Sequence, residues 1–121
     1  MIAVDSCIWI AWLTADPRGE RLRAQLAQPH EILVPTVVLY EVVRWTQRER
    51  GQAAAVTIAA HLQQCEIAGL EPAVALLACD LSLRHRLAMA DAMVYAHAQV
   101  AQVPLWTSHS YFSGLPGVVL G

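Results

Sequence analysis

The sequence predicts an α/β domain on a mostly parallel sheet covered by helices on both faces, and three observations carry that prediction. Short, continuously apolar runs punctuate the chain at 2–5 ("IAVD"), 31–35 ("EILVP") and 104–107 ("PLWT"), without the polar alternation of a half-solvated strand. Helical segments separate these runs, as the crossovers between parallel strands require. Finally, 121 residues with 56% hydrophobic and 15% charged side chains suffice for one sizeable core and argue against disorder. One domain spanning 1–121 is therefore expected, with some apolar surface left for a partner.

In chain order, "IAVD" ends in Asp5, and "SCIWIAWLT" at 6–14 reads as a helix with Ser6 near its start. Asp5 thus falls at a strand-to-helix junction. The turn "ADPRG" leads to a short polar helix at 19–28, and "EILVP" is a buried strand stopped by Pro35. Residues 36–49 continue as a helix despite their β-branched cluster, with Thr36 as the expected cap. A helix at 52–64 precedes "CEIAGL", a third strand, and Pro72 suits the first turn of a helix over 72–84. "LAMADAMVYAHAQVA" at 87–101 gives the strongest helical pattern, followed by "PLWT" and a last strand near "GVVL" at 117–120.

The net charge of −2 supplies no global attraction for nucleic acid, so any such contact must come from local patches. All eight basic residues are Arg, which excludes every mechanism that needs a catalytic lysine, the phosphate-binding P-loop included. Cys7, Cys65 and Cys79 are odd in number and show no CxxC spacing, so reduced, packed thiols are expected rather than a disulfide framework or a zinc knuckle. The N-terminus lacks a basic region before its apolar run, which favours a cytoplasmic location over secretion. Residues 92–121 carry no Asp, Glu, Lys or Arg, yet His97, Gln99, Gln102 and Pro104 exclude a membrane span.

Three carboxylates stand out by position. In a parallel sheet, ligands bind beyond the carboxyl ends of the strands, where Asp5 falls; Asp5 also suits the N-cap of the next helix. Glu41 interrupts "VVLYEVV", where an isolated buried charge costs roughly several kcal/mol and needs a metal, a raised pKa or an ion pair with Arg44 or Arg48. Asp91 sits in the apolar stretch "AMADAMVYA", near a helix start that favours negative charge by about 0.3–1 kcal/mol. Convergence of the three would raise their pKa values unless a cation sat between them, and oxygen ligands suit Mg²⁺ or Mn²⁺.

The stretches "VDSCIWIAWL", "PTVVLYEVVR", "LAMADAMVYAHA" and "LWTSHSYFSGLPGV" together resemble the PIN-domain ribonucleases, and among them the VapC toxins, in order and over essentially the whole chain. The resemblance implies a PIN-like α/β/α sandwich, Mg²⁺- or Mn²⁺-dependent endoribonuclease activity, homodimers and neutralisation by a VapB-type antitoxin. It places Asp5, Glu41 and Asp91 on the family's first three acidic positions, as catalytic and metal-holding residues. It implies hydrolysis of an RNA phosphodiester, with Asp5 and Asp91 holding the metal and Glu41 completing the site or orienting the attacking water. His109 stands where the family carries a fourth carboxylate, and an imidazole there shifts metal preference from Mg²⁺ toward Mn²⁺. Ser6 and Thr107 are expected to orient the carboxylates, and Arg44, beside Trp45, to contact RNA phosphate.

Other features have plainer readings. Trp9 and Trp12 fit core packing or an interface, and Asp80 with Arg84 fits a helical ion pair. His30, His61, His85 and His97 share no ligand spacing. Two other functions compete: a PIN-fold binding protein that has lost catalysis with the fourth acid, and a phospho-accepting receiver domain, which the lack of lysine disfavours.

Overall fold

The structure, a computed structural model, describes all 121 residues. Five parallel strands form one sheet: β1 (Ile2–Val4), β2 (Ile32–Pro35), β3 (Glu66–Ala68), β4 (Leu105–Thr107) and β5 (Val118–Leu120). Their order is β3-β2-β1-β4-β5. Six helices connect them: α1 (Ser6–Leu13), α2 (Glu20–Gln25), α3 (Thr36–Arg50), α4 (Gln52–Leu62), α5 (Pro72–His85) and α6 (Met89–Ala101). Every residue of β2 and β4 is buried, so helices cover both faces and the architecture is an α/β/α sandwich. The edge strands β3 and β5 are shorter in apolar content and more exposed, which leaves the core centred on β1, β2 and β4.

Strand order sets the site. The chain leaves β1 toward β2 on one side and returns through α6 to β4 on the other, so the strand order reverses between β1 and β4 while all strands stay parallel. A parallel sheet opens its ligand crevice at the carboxyl ends of such a pair, here Val4 and Thr107, with Asp5 and Ser108 immediately beyond. The junction is zipped by backbone bonds from Ala3 N–H to Pro104 C=O and from Asp5 N–H to Trp106 C=O, each 2.9 Å.

The expected elements all form, with small shifts at their ends. Thr36 does not cap α3: Pro35 takes the N-cap position, and no side chain closes the helix there. The strand runs straight into the helix, so Thr36 is already helical. The polar helix expected over 19–28 shortens to Glu20–Gln25, preceded by a tight turn at Pro17–Gly19 and followed by another at Pro29–Glu31. Gly19 is buried against the Trp12 backbone, where a Cβ finds no room. Trp9 is a core residue, fully buried, with Trp12 edge-on to it at 6.3 Å. Cys65 is buried, whereas Cys79 is exposed rather than packed. No helix is long and apolar enough to cross a membrane.

Candidate metal centre

Asp5 is held from two directions. It is the N-cap of α1, its Oδ1 accepting from Ser6 N–H at 2.8 Å, while Oδ2 accepts from the Thr107 hydroxyl at 2.8 Å. Capping and site-building are thus one arrangement, because the cap fixes a carboxylate with only 2% of its side chain exposed. Thr107, fully buried at the end of β4, also accepts from His109 N–H at 3.1 Å. The following turn is pinned by Phe112, fully buried and 5.8 Å edge-on to Tyr95, whose hydroxyl donates to Pro116 C=O at 2.6 Å. Helix α6 therefore fixes the loop that presents His109.

His109 faces two acids. Its Nδ1 lies 3.4 Å from Asp91 Oδ1, without the alignment of a hydrogen bond, and 3.8 Å from Asp5 Oδ2, too long for one. That nitrogen is a buried atom without a hydrogen-bonding partner. Asp91 comes from the first turn of α6, where the helix N-terminus favours its charge.

Burial pushes the Glu41 carboxyl above its ordinary value, and the Asp5 charge adds to the rise; Asp91 contributes as well, while the Ser6 hydroxyl and His109 oppose it. Asp91 is raised in the same way, first by burial and then by Asp5, with His109 acting against the rise. Neither Arg44 nor Arg48 pairs with Glu41, and Arg48 reaches Glu49 instead. The ion-pair explanation of Glu41 therefore fails. The Asp5 charge reaches both Glu41 and Asp91, and no Arg pairs with any of the three.

These residues fit a divalent cation. Glu41 and Asp91 both feel the Asp5 charge, one aromatic nitrogen is orphaned against Asp5 and Asp91, and no Arg pairs with any of the three acids. A cation among them offsets the burial and the Asp5 charge that together raise Glu41 and Asp91. Two open clefts reach the cluster: one of about 350 Å³ past Ser6, Glu41, Arg44 and Trp45, and one of about 370 Å³ past Cys7, Arg18, Ser108 and His109. Arg18 is held at the second cleft by a two-pronged bond to Asp16, which lowers the Asp16 carboxyl to about 2. Arg44 is exposed, unpaired and on the Glu41 side.

One residue escaped the sequence reading. Cys7 lies within the same group of potential ligands as Asp5 and His109, their donor atoms all within 4.8 Å of one another. Its position two residues after Asp5, in the first turn of α1, was the available signal. Of the remaining histidines, His30 and His61 are exposed, His85 lies 6.3 Å from the Tyr95 ring, and His97 is buried on α6 with its pKa lowered by that burial.

An α/β/α sandwich with an acid, Asp5, at the carboxyl end of its central strand and two more on the flanking helices is consistent with the PIN fold. The chain belongs to the PIN domain family, whose model matches residues 2–116. No curated protein matches it in sequence. Among solved structures it resembles a toxin–antitoxin complex from Klebsiella pneumoniae, with a TM-score of 0.83 and 24% identity over 98% of this chain and 96% of that one. It also resembles VapC20 from Mycobacterium tuberculosis, a sarcin–ricin loop cleaving toxin, at 0.68 and 23% over 84% of each chain. A third is VapBC2 from Rickettsia felis, bound to a DNA fragment from its promoter, at 0.76 and 16% over 100% of this chain and 98% of that one.

Proposed function

We propose that this chain is a VapC-type toxin: a Mg²⁺- or Mn²⁺-dependent endoribonuclease that hydrolyses RNA phosphodiester bonds. The observation that carries the reading is the convergence of Asp5, Glu41 and Asp91, two of them with raised carboxyl pKa values and no compensating Arg. The toxin–antitoxin structures it resembles support the role but lie at a distance that establishes fold alone.

Asp5, Asp91 and Glu41 would hold the ion, with His109 as a nitrogen donor in place of a fourth carboxylate. A bound divalent ion supplies Lewis-acid polarisation of a phosphoryl oxygen and acidifies water. Asp5, locked by Ser6 N–H and the Thr107 hydroxyl, fixes one side of the site without reorganisation. Glu41, half-buried with its carboxyl raised by that burial and lining the cleft, orients the attacking water and takes its proton. Arg44 neutralises an RNA phosphate at the mouth of that cleft, and Trp45 offers a face for stacking.

A VapB-type antitoxin and a second copy of the chain are the proposed protein partners. Leu76, Leu83, Met89 and Tyr111, each more than 70% exposed, provide apolar surface for such contacts. The function is tested by incubating the purified chain with RNA and Mg²⁺ or Mn²⁺. Cleavage lost in Asp5→Ala and Asp91→Ala supports it, and no cleavage of any RNA with either metal defeats it.

A further inference from the structure

We propose that Asp5, Cys7 and His109 form a mixed carboxylate, thiolate and imidazole site that selects a thiophilic divalent ion, Zn²⁺ or Co²⁺, over Mg²⁺. This rests on the reading of the acidic cluster as a metal centre and adds to it a sulfur donor.

Hydrogen bonding around the thiol carries the argument. The Thr107 hydroxyl has one proton, donated to Asp5 Oδ2, and it already accepts from His109 N–H. At its 3.5 Å contact with Cys7 Sγ, the hydroxyl therefore has only a lone pair to offer. The thiol proton consequently points toward Thr107 Oγ1 or toward Asp5 Oδ2, 3.7 Å away. Both acceptors belong to the hydrogen-bonded Asp5–Thr107 pair, where a cation can replace the proton. The sulfur also accepts from Ser108 N–H at 3.3 Å, a bond that strengthens when sulfur carries negative charge.

The third donor is ready. His109 Nδ1 has no hydrogen-bond partner, and the imidazole, with 39% of its side chain exposed, lies with Cys7 along the 370 Å³ cleft that opens to solvent. Thiolate and imidazole favour Zn²⁺ and Co²⁺, whereas Mg²⁺ requires an oxygen shell and retains its waters.

Co²⁺ alone, titrated anaerobically into the reduced chain, reports the sulfur ligand directly. The expected result is a near-ultraviolet sulfur-to-cobalt charge-transfer band that saturates at one equivalent, is bleached by Zn²⁺ but not by excess Mg²⁺, persists in Cys79→Ser and is lost in Cys7→Ser. Co²⁺ uptake without that band, or the same band in Cys7→Ser, overturns the proposal. Should Cys7→Ser fail to fold, His109→Ala in the wild-type thiol background must shift the band, and an unshifted band overturns the mixed site. Cleavage of RNA by a chain that shows no band sinks this inference alone; a band without RNA cleavage supports it and sinks only the ribonuclease reading.

Discussion

Thr107 Oγ1 donates a 2.8 Å hydrogen bond to Asp5 Oδ2 across 102 residues of sequence, joining the ends of the two central strands. Both residues are buried, so the bond fixes the carboxylate rather than merely decorating it. Thr107→Val keeps the shape and removes the hydroxyl, leaving Asp5 Oδ2 and His109 N–H without their partner. Stability falls by about 1–3 kcal/mol for the buried acceptor left unpaired. Mn²⁺ affinity, followed by calorimetry, falls about 10–100-fold, as for other groups that orient ligands. Thr107→Ser recovers both, and an unchanged Mn²⁺ affinity in Thr107→Val contradicts the positioning role.

The raised carboxyls make the metal-free protein sensitive to pH. A folded-state pKa above the unfolded value means that, from the ordinary glutamate value of 4.5 up to the raised one, the folded chain holds more protons than the unfolded chain. Stability therefore falls as pH rises through that window, and the loss is complete above it. Glu41→Gln removes one such group. Its melting midpoint without metal exceeds that of the wild type at neutral pH, and the gain disappears below the window. Mn²⁺ stabilises the wild type by about 2.7 kcal/mol at 100 times its dissociation constant, which raises its midpoint, and raises that of Glu41→Gln less at the same concentration.

His109 stands against Asp5 and Asp91 with a nitrogen, at the position where the sequence resemblance leads one to expect an acid. His109→Asp supplies a harder ligand and a further negative charge. Cleavage with Mg²⁺ rises relative to cleavage with Mn²⁺ in that variant. Identical metal profiles for wild type and variant would show that His109 takes no part in metal selection.

Arg44 is exposed on the rim of the Glu41 cleft and engages no carboxylate. Arg44→Ala raises KM for RNA with little change in kcat, and lowers the slope of log affinity against log salt by about 0.7, the value for one contact on a single strand. A fall in kcat at constant KM contradicts a phosphate-contacting role.

Much of this arrangement was legible in the residues. The strand runs, the helices and the isolation of Asp5, Glu41 and Asp91 in apolar settings are local properties, and in the fold the Asp5 charge reaches both Glu41 and Asp91. Two things were not legible. Whether Glu41 pairs with Arg44 depends on which way the Arg44 side chain leaves α3, and i,i+3 spacing permits either direction. The place of Cys7 depends on the approach of β4 to β1, a contact between residues about a hundred apart that only the sheet order determines. Thr36 failed as a cap because β2 leads into α3 without an intervening turn, a matter of backbone direction rather than composition.

The central claim, that Asp5, Glu41 and Asp91 share a divalent ion that makes the chain a ribonuclease, is tested by following cleavage of end-labelled RNA and Mn²⁺ occupancy together across one titration. The account predicts that both saturate with the same midpoint, that a chelator abolishes cleavage, and that Asp91→Asn lowers the rate about a hundredfold or more, since metal stabilisation of the transition state is worth several kcal/mol. Cleavage that persists in chelator, or full Mn²⁺ occupancy with no RNA cut, would contradict it.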